Sequence, residues 1–179
     1  MFDNKKNKTK AKIVQILPLT AIHIEKLIEV FNFKNTQLLE TDKIILYFNQ
    51  PLFLEELLNK EFEILEDIAY QFPNKKIYIK LQPSTKPSVQ ERFETLPYVF
   101  LISDKLPAEF YLGMVSNSIL LTGWSAALMH DIGNQNNKSY FLYPMYKNVN
   151  DKVLSQITPK SFPHIKMVDT IDQIKFPNE

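Results

Sequence analysis

The sequence predicts an α/β fold in which a mostly parallel sheet is doubly wound, with helices on both faces. Three observations predict it. Short apolar runs recur along the chain, and KIILYFNQP at 43–51 is unbroken, as in a strand buried on both faces. Between the runs, apolar residues recur at helical spacing. The alternation repeats every roughly 20–25 residues, which is the signature of βαβ units with right-handed crossovers.

The elements follow in order. KIVQILPL (12–19) is a short apolar run stopped by Pro18. A helix is expected over 20–33, with Ile24, Leu27, Ile28 and Phe31 on one face and Thr20 as its cap. After the strand at 43–51, Leu54, Leu57, Leu58, Leu65, Ile68 and Ala69 share a helical face that Pro73 closes. KKIYIKL (75–81) is a strand, QPSTKPS a loop, and SVQERFETL a short helix begun by Ser88. YVFLIS (98–103) is a strand, and DKLPAEFYLGM a loop plus helix. NSILLTG (117–123) is a strand, and WSAALMHDIG a helix ending near Gly133. SYFLYPM (139–145) and HIKMV (164–168) are strands, separated by a helix over 148–157. A terminal helix capped by Asp169 is expected over 169–176. The organisation expected is a basic, solvated arm at 1–12, a linker or remnant of a preceding domain at 13–42, and one α/β domain at 43–179.

Composition removes several function classes. With 21 basic and 20 acidic residues, no global field draws the chain to nucleic acid. The arm MFDNKKNKTKAK concentrates five lysines against one acid, which suits either solvation or an electrostatic contact with an anionic membrane. No cysteine is present, so disulfides and thiolate metal sites are excluded, in keeping with a reducing compartment. No apolar h-region follows the arm, so no signal peptide is expected, and no run is long enough to span a bilayer. Three glycines form neither GxGxxG nor a P-loop. His23, His130 and His164 have no second ligand at metal spacing and are taken as structural.

Ligands of such sheets bind outside the carboxyl ends of the strands. Asn49, Gln50, Glu55 and Glu56 follow the first long strand, and Lys80, Gln82, Pro83, Ser84 and Thr85 the second. Ser103, Asp104, Lys105, Pro107 and Glu109 follow the third, Thr122, Gly123, Trp124 and Ser125 the fourth, and Pro144 and Tyr146 the fifth. TGWSAAL sets hydroxyls and a glycine at a strand-to-helix turn. Ser125 or Thr122 there either grips an anion or caps the helix. Lys80 either neutralises a phosphate or is solvated. Glu55, Glu56 and Glu109 are first-turn acids favoured by the helix dipole, or else a general base and a ribose acceptor. Trp124 either stacks on a base or packs in the core.

The ordered stretches ILYFNQPL…EE, YIKLQP, LPAEF and SILLTGWSAAL, spanning roughly 43–146, resemble the C-terminal, donor-binding half of bacterial lipooligosaccharide sialyltransferases, glycosyltransferase family 52. The resemblance implies the Rossmann-like C-terminal domain of a GT-B fold. It implies CMP-sialic acid as donor substrate, a lipooligosaccharide or capsule galactoside as acceptor, and no metal or other cofactor. NQPLFLEEL matches the stretch carrying that family's general base, which makes Glu55 the candidate with Glu56 beside it. Lys80-Leu81-Gln82-Pro83 matches the family's K-x-H-P, with glutamine where the acid histidine stands. Pro107-Ala108-Glu109 matches the ribose-binding P-x-E, and Ser125-Ala126 the phosphate-gripping hydroxyl pair, one hydroxyl short. The implied site is Glu55 and Gln82 for catalysis, and Lys80, Pro83, Pro107, Glu109, Thr122, Gly123 and Ser125 for the donor.

A glutamine cannot give up a proton near neutral pH, whereas general acid catalysis contributes about 10²–10⁴-fold. The expected function is therefore a sialyltransferase-like domain, impaired at Gln82, or a non-catalytic CMP-sugar-binding domain that works with a partner chain supplying the acceptor side. The expected location is cytoplasmic and peripheral to the inner membrane through the arm. A homodimer is compatible with the sequence, and nucleic acid is not expected as a partner.

Overall fold

A computed structural model describes residues 21–30, 42–50, 52, 54–131, 136–146 and 162–179. Six strands form one parallel sheet: β1 (Ile45–Phe48), β2 (Ile77–Lys80), β3 (Val99–Ile102), β4 (Ile119–Thr122), β5 (Lys138–Phe141) and β6 (Ile165–Met167). Their order is β3-β2-β1-β4-β5-β6. The chain thus works outward from β1 to β3, then crosses back to lay β4 on the other side of β1. That reversal makes the β1–β4 boundary the topological switch point of a Rossmann-like sheet.

Helix α1 (Ala21–Val30) precedes the sheet, α2 (Glu55–Gln71) joins β1 to β2, α3 (Pro87–Glu94) joins β2 to β3, and α4 (Ala108–Leu112) joins β3 to β4. Alternation along β1 explains both layers. Ile45 and Tyr47 face the core under α2, with Ile64, Leu65 and Ile68. Leu46 and Phe48 face the opposite core, with Tyr111, Leu112 and Leu128. All four β1 residues are buried, as the unbroken apolar run demands. β3 lies at the sheet edge, where Tyr98 and Phe100 stay exposed. No helix among the described residues is long and apolar enough to cross a membrane.

Several local expectations are corrected. α3 starts at Pro87, with Lys86 as its cap, and not at Ser88. Proline fits the first helical position because its missing N–H would have no partner there. The segment after Trp124 forms only a five-residue 3-10 helix, Ala126–His130. Its Ser125 cap and the turn bond from Asp131 N–H to Leu128 C=O (3.0 Å) leave no length for an α-helical ladder. The terminal helix expected from Asp169 is a single 3-10 turn, Ile171–Gln173, capped by Thr170. Beyond it the backbone extends, so that Ile174 and Phe176 both enter the core while Lys175 stays out. There a period of two wins over the helical period. Leu54 is exposed at the α2 cap and does not share the buried face.

The arm at 1–12, the run at 12–19, the Thr20 cap, Phe31, Gly133 and the helix read over 148–157 lie outside the described residues. So do the side chains of Ile24, Leu27 and Ile28, and most of the 13–42 segment.

Candidate functional site

The carboxyl ends of β2, β1 and β4 are knitted together by side chains. After β2 the chain makes a β-turn at 82–85, closed by the Thr85 N–H on the Gln82 carbonyl (2.9 Å). Pro83 occupies the turn position that proline's fixed φ favours. The strand therefore ends at Gln82-Pro83 for a conformational reason. Gln90 of α3 donates to the Thr85 carbonyl (3.0 Å) and ties the turn to its helix. From β1, the Asn49 amide oxygen accepts the Thr85 hydroxyl at 2.7 Å and makes a longer contact, 3.5 Å, with the Gln82 N–H. One buried amide at the end of β1 thus holds the turn that follows β2.

At the switch point, the Thr122 hydroxyl donates to the Phe48 carbonyl (3.0 Å) and accepts from Gln50 Nε2 (2.9 Å) and Ser125 N–H (3.1 Å). Thr122 is fully buried and its hydroxyl is spent on these bonds. In this arrangement Thr122 stitches β1 to β4. A Cβ added at Gly123 would stand 3.4 Å from Gln50 Cγ and 3.6 Å from the Tyr146 ring, at ordinary contact distance. Trp124 packs edge-to-face on Tyr143 and Tyr146, with centroids 5.6 and 5.4 Å apart, so it serves the aromatic core. Ser125, half-buried, accepts from Ala127 N–H at 3.2 Å as the cap of the short 3-10 helix.

Beneath this edge lies a carboxylate that the sequence reading passed over. Glu61, on the buried face of α2, is fully buried. Its Oε1 accepts from the Tyr47 hydroxyl (2.5 Å) and the Gln50 N–H (3.3 Å), and Asn49 Nδ2 lies 3.2 Å from each carboxylate oxygen. Tyr146 hydroxyl stands 3.3 Å from that of Tyr47. Burial pushes Glu61 up to about 7, against the pull of these donors. Burial, and then the neighbouring carboxylate, pushes both tyrosines up. The signal was legible: Glu61 continues the apolar stripe of Leu57, Leu58, Leu65 and Ile68, where an acid belongs only if it has partners.

On the other side of the sheet, Lys80 Nζ donates to the Asp104 carbonyl (2.7 Å) and lies 3.3 Å from its carboxylate. Lys80 is only 5% exposed, and its ammonium braces the ends of β2 and β3. Burial pushes its ammonium down, partly offset by Asp104. Asp104 also accepts from the Tyr111 hydroxyl and the Leu106 N–H (3.1 Å). Pro107 caps α4, and Glu109 sits half-buried in its first turn.

Of the remaining candidates, Gln82 is half-buried and Pro83 exposed on the turn, while Glu55 and Glu56 are exposed in the first turn of α2. No group of three His, Cys, Asp or Glu among the described residues could hold a metal ion. His23 is exposed and His164 half-buried. The His130 side chain lies outside the described residues. A cavity of about 550 Å³ opens at the opposite, amino-terminal edge, between Asp42, Lys43, Lys75, Asn117 and residues 176–179. Its charges are mixed in sign, and parallel sheets gather their ligands at the other edge. No protein-family model matches the chain, and no curated protein matches it.

Proposed function

We propose that this chain is the donor-binding domain of a sialyltransferase-like glycosyltransferase, taking a CMP-linked sugar such as CMP-sialic acid. One observation carries the proposal. The four motif segments follow β1, β2, β3 and β4 in turn, all at the carboxyl edge of a sheet with a β1–β4 switch point. An acceptor hydroxyl, as on a galactoside of a lipooligosaccharide or capsule, would attack the anomeric carbon. Its new C–O bond forms as the bond to CMP breaks. Glu55, exposed at the start of α2, takes the hydroxyl proton. The Gln82 amide and the Ser125 hydroxyl donate to the departing phosphate. Glu109 accepts from the ribose hydroxyls. No metal takes part in this scheme. The expected setting is cytoplasmic, at the inner face of the membrane that the basic arm would touch.

A second reading, binding without catalysis alongside a partner chain or a second copy, is favoured by Gln82 itself, which has no proton to give. Calorimetry with CMP tests both. Binding that is lost in Glu109→Ala and in Ser125→Ala supports either, and no heat at millimolar CMP removes both. Assay of transfer from CMP-sialic acid to a galactoside then separates them. Transfer by the wild type, or its gain in Gln82→His, supports the enzyme; silence in both leaves only the binding domain.

A further inference from the structure

We infer that Glu61 is a positioning residue for the turn at 82–85, and that its ionised form holds this turn while its protonated form lets it loosen. That the turn faces a ligand rests on the CMP-sugar reading above; that Glu61 controls it does not.

The geometry is a three-part relay. Glu61 lies at the bottom, where Asn49 Nδ2 stands 3.2 Å from both of its oxygens. This fixes which way the Asn49 amide points. Its Oδ1 is then aimed at the turn, where it takes the Thr85 hydroxyl at 2.7 Å and approaches the Gln82 N–H at 3.5 Å. A flipped amide would set an oxygen against the carboxylate and NH₂ against the Thr85 hydroxyl and the Gln82 N–H. The relay thus joins α2, β1 and the loop after β2 through side chains that are 0% and 1% exposed at its first two members.

The two carboxylate oxygens are not equivalent. Oε1 accepts from Tyr47, Gln50 and Asn49, whereas among the described residues Oε2 has Asn49 Nδ2 alone. A proton therefore goes to Oε2, where it meets a second donor, and the hold on Asn49 weakens. Among the described residues, no charged side chain contributes to the shift of Glu61. Tyr47 from β1 and Tyr146 beyond β5 are the titratable groups facing it among the described residues, and burial pushes both up and away from neutrality. Lys60 and Glu63 on α2 pair with each other at 2.9 Å on the outer side. Lys80 is the register partner of Phe48 and so belongs with Asp104 to the opposite face. Glu61 itself is brought by burial to about 7, within reach of a titration.

The test uses the whole chain without ligand first. Amide resonances of Gln82 and Thr85, followed from about pH 5.5 to about pH 8.5, should titrate together with one midpoint near neutrality. They should stay flat in Glu61→Gln and in Asn49→Ala. A carboxyl that is only part of the core would move the unfolding midpoint and leave these amides unchanged, and that result would overturn the inference. Amides that still titrate in both variants would overturn it as well. CMP is then added. Affinity of the wild type relative to Glu61→Gln should fall about fivefold from the upper to the lower pH, the phosphate's own titration being common to both proteins. If the amides titrate but the wild type binds no CMP, the relay stands and the CMP-sugar reading falls. If CMP binds and the amides are flat, the reverse holds.

Discussion

Two polar clusters sit on opposite faces of the same strand ends, and they handle charge differently. Lys80 and Asp104 form a partly buried ion pair, with Tyr111 and Leu106 N–H completing the carboxylate. Among the described residues Glu61 has no cation as a partner, only the dipoles of Tyr47, Asn49 and Gln50. A counterion offsets desolvation by Coulomb attraction, whereas neutral donors offset less of it. This is why burial moves Glu61 to about 7, within reach of ordinary pH. The paired cluster serves as a brace. The unpaired one can change state.

Breaking each cluster measures the difference. The largest effect is expected for Glu61→Ala, which strands the Tyr47 hydroxyl, the Asn49 amide and the Gln50 N–H in a buried space. At about 1–3 kcal/mol for each unsatisfied group, partly relieved by water entry, roughly 4 kcal/mol of stability is lost, read from urea unfolding. Asp104→Ala leaves a buried lysine without its counterion, at a cost of about 3 kcal/mol. Adding Lys80→Met to that variant should restore part of it, because the uncompensated charge is removed too. An additive double mutant would mean that the ion pair is not what holds β2 to β3.

A smaller effect comes from pH, and its sign is fixed. The unfolded carboxyl titrates near 4.5 and the folded one at about 7, so between these values the folded state retains a proton the unfolded state has released. Stability supplied by Glu61 is therefore lost as pH rises through that window and is level above it. The difference between wild type and Glu61→Gln should shrink by on the order of 2 kcal/mol from about pH 5 to about pH 8. A difference that does not change with pH would mean that Glu61 is already ionised throughout. The smallest effect is expected at Gly123, where an added methyl meets its neighbours at ordinary contact distance. Gly123→Ala should shift stability by under about 0.5 kcal/mol, and a large loss would show that the packing around Gly123 is tighter than these contacts imply.

The parallel sheet was legible because KIILYF has no polar interruption and because prolines and polar residues mark where strands stop. Helix existence was legible where the apolar period ran long, as in α2. It failed at 126–130 and 171–173, where five- and three-residue 3-10 helices satisfy the packing. The positions of the strand-end residues could be read, but not which of them were already engaged. Thr122 meets Gln50 across 72 residues and Lys80 meets Asp104 across 24, so no local pattern records those bonds. Glu61 was the reverse case. Its place within an apolar stripe was visible in one dimension, and only its partners were missing.

The Thr122 stitch has a thermodynamic consequence. Its three hydrogen bonds join β1, β4 and the chain leading into the next element, across the point where the two halves of the sheet meet. Strand ends held by such bonds are set in place before anything meets them. A ligand settling at this edge would freeze few backbone torsions on arrival, so its association entropy would be dominated by its own lost motion and by released water.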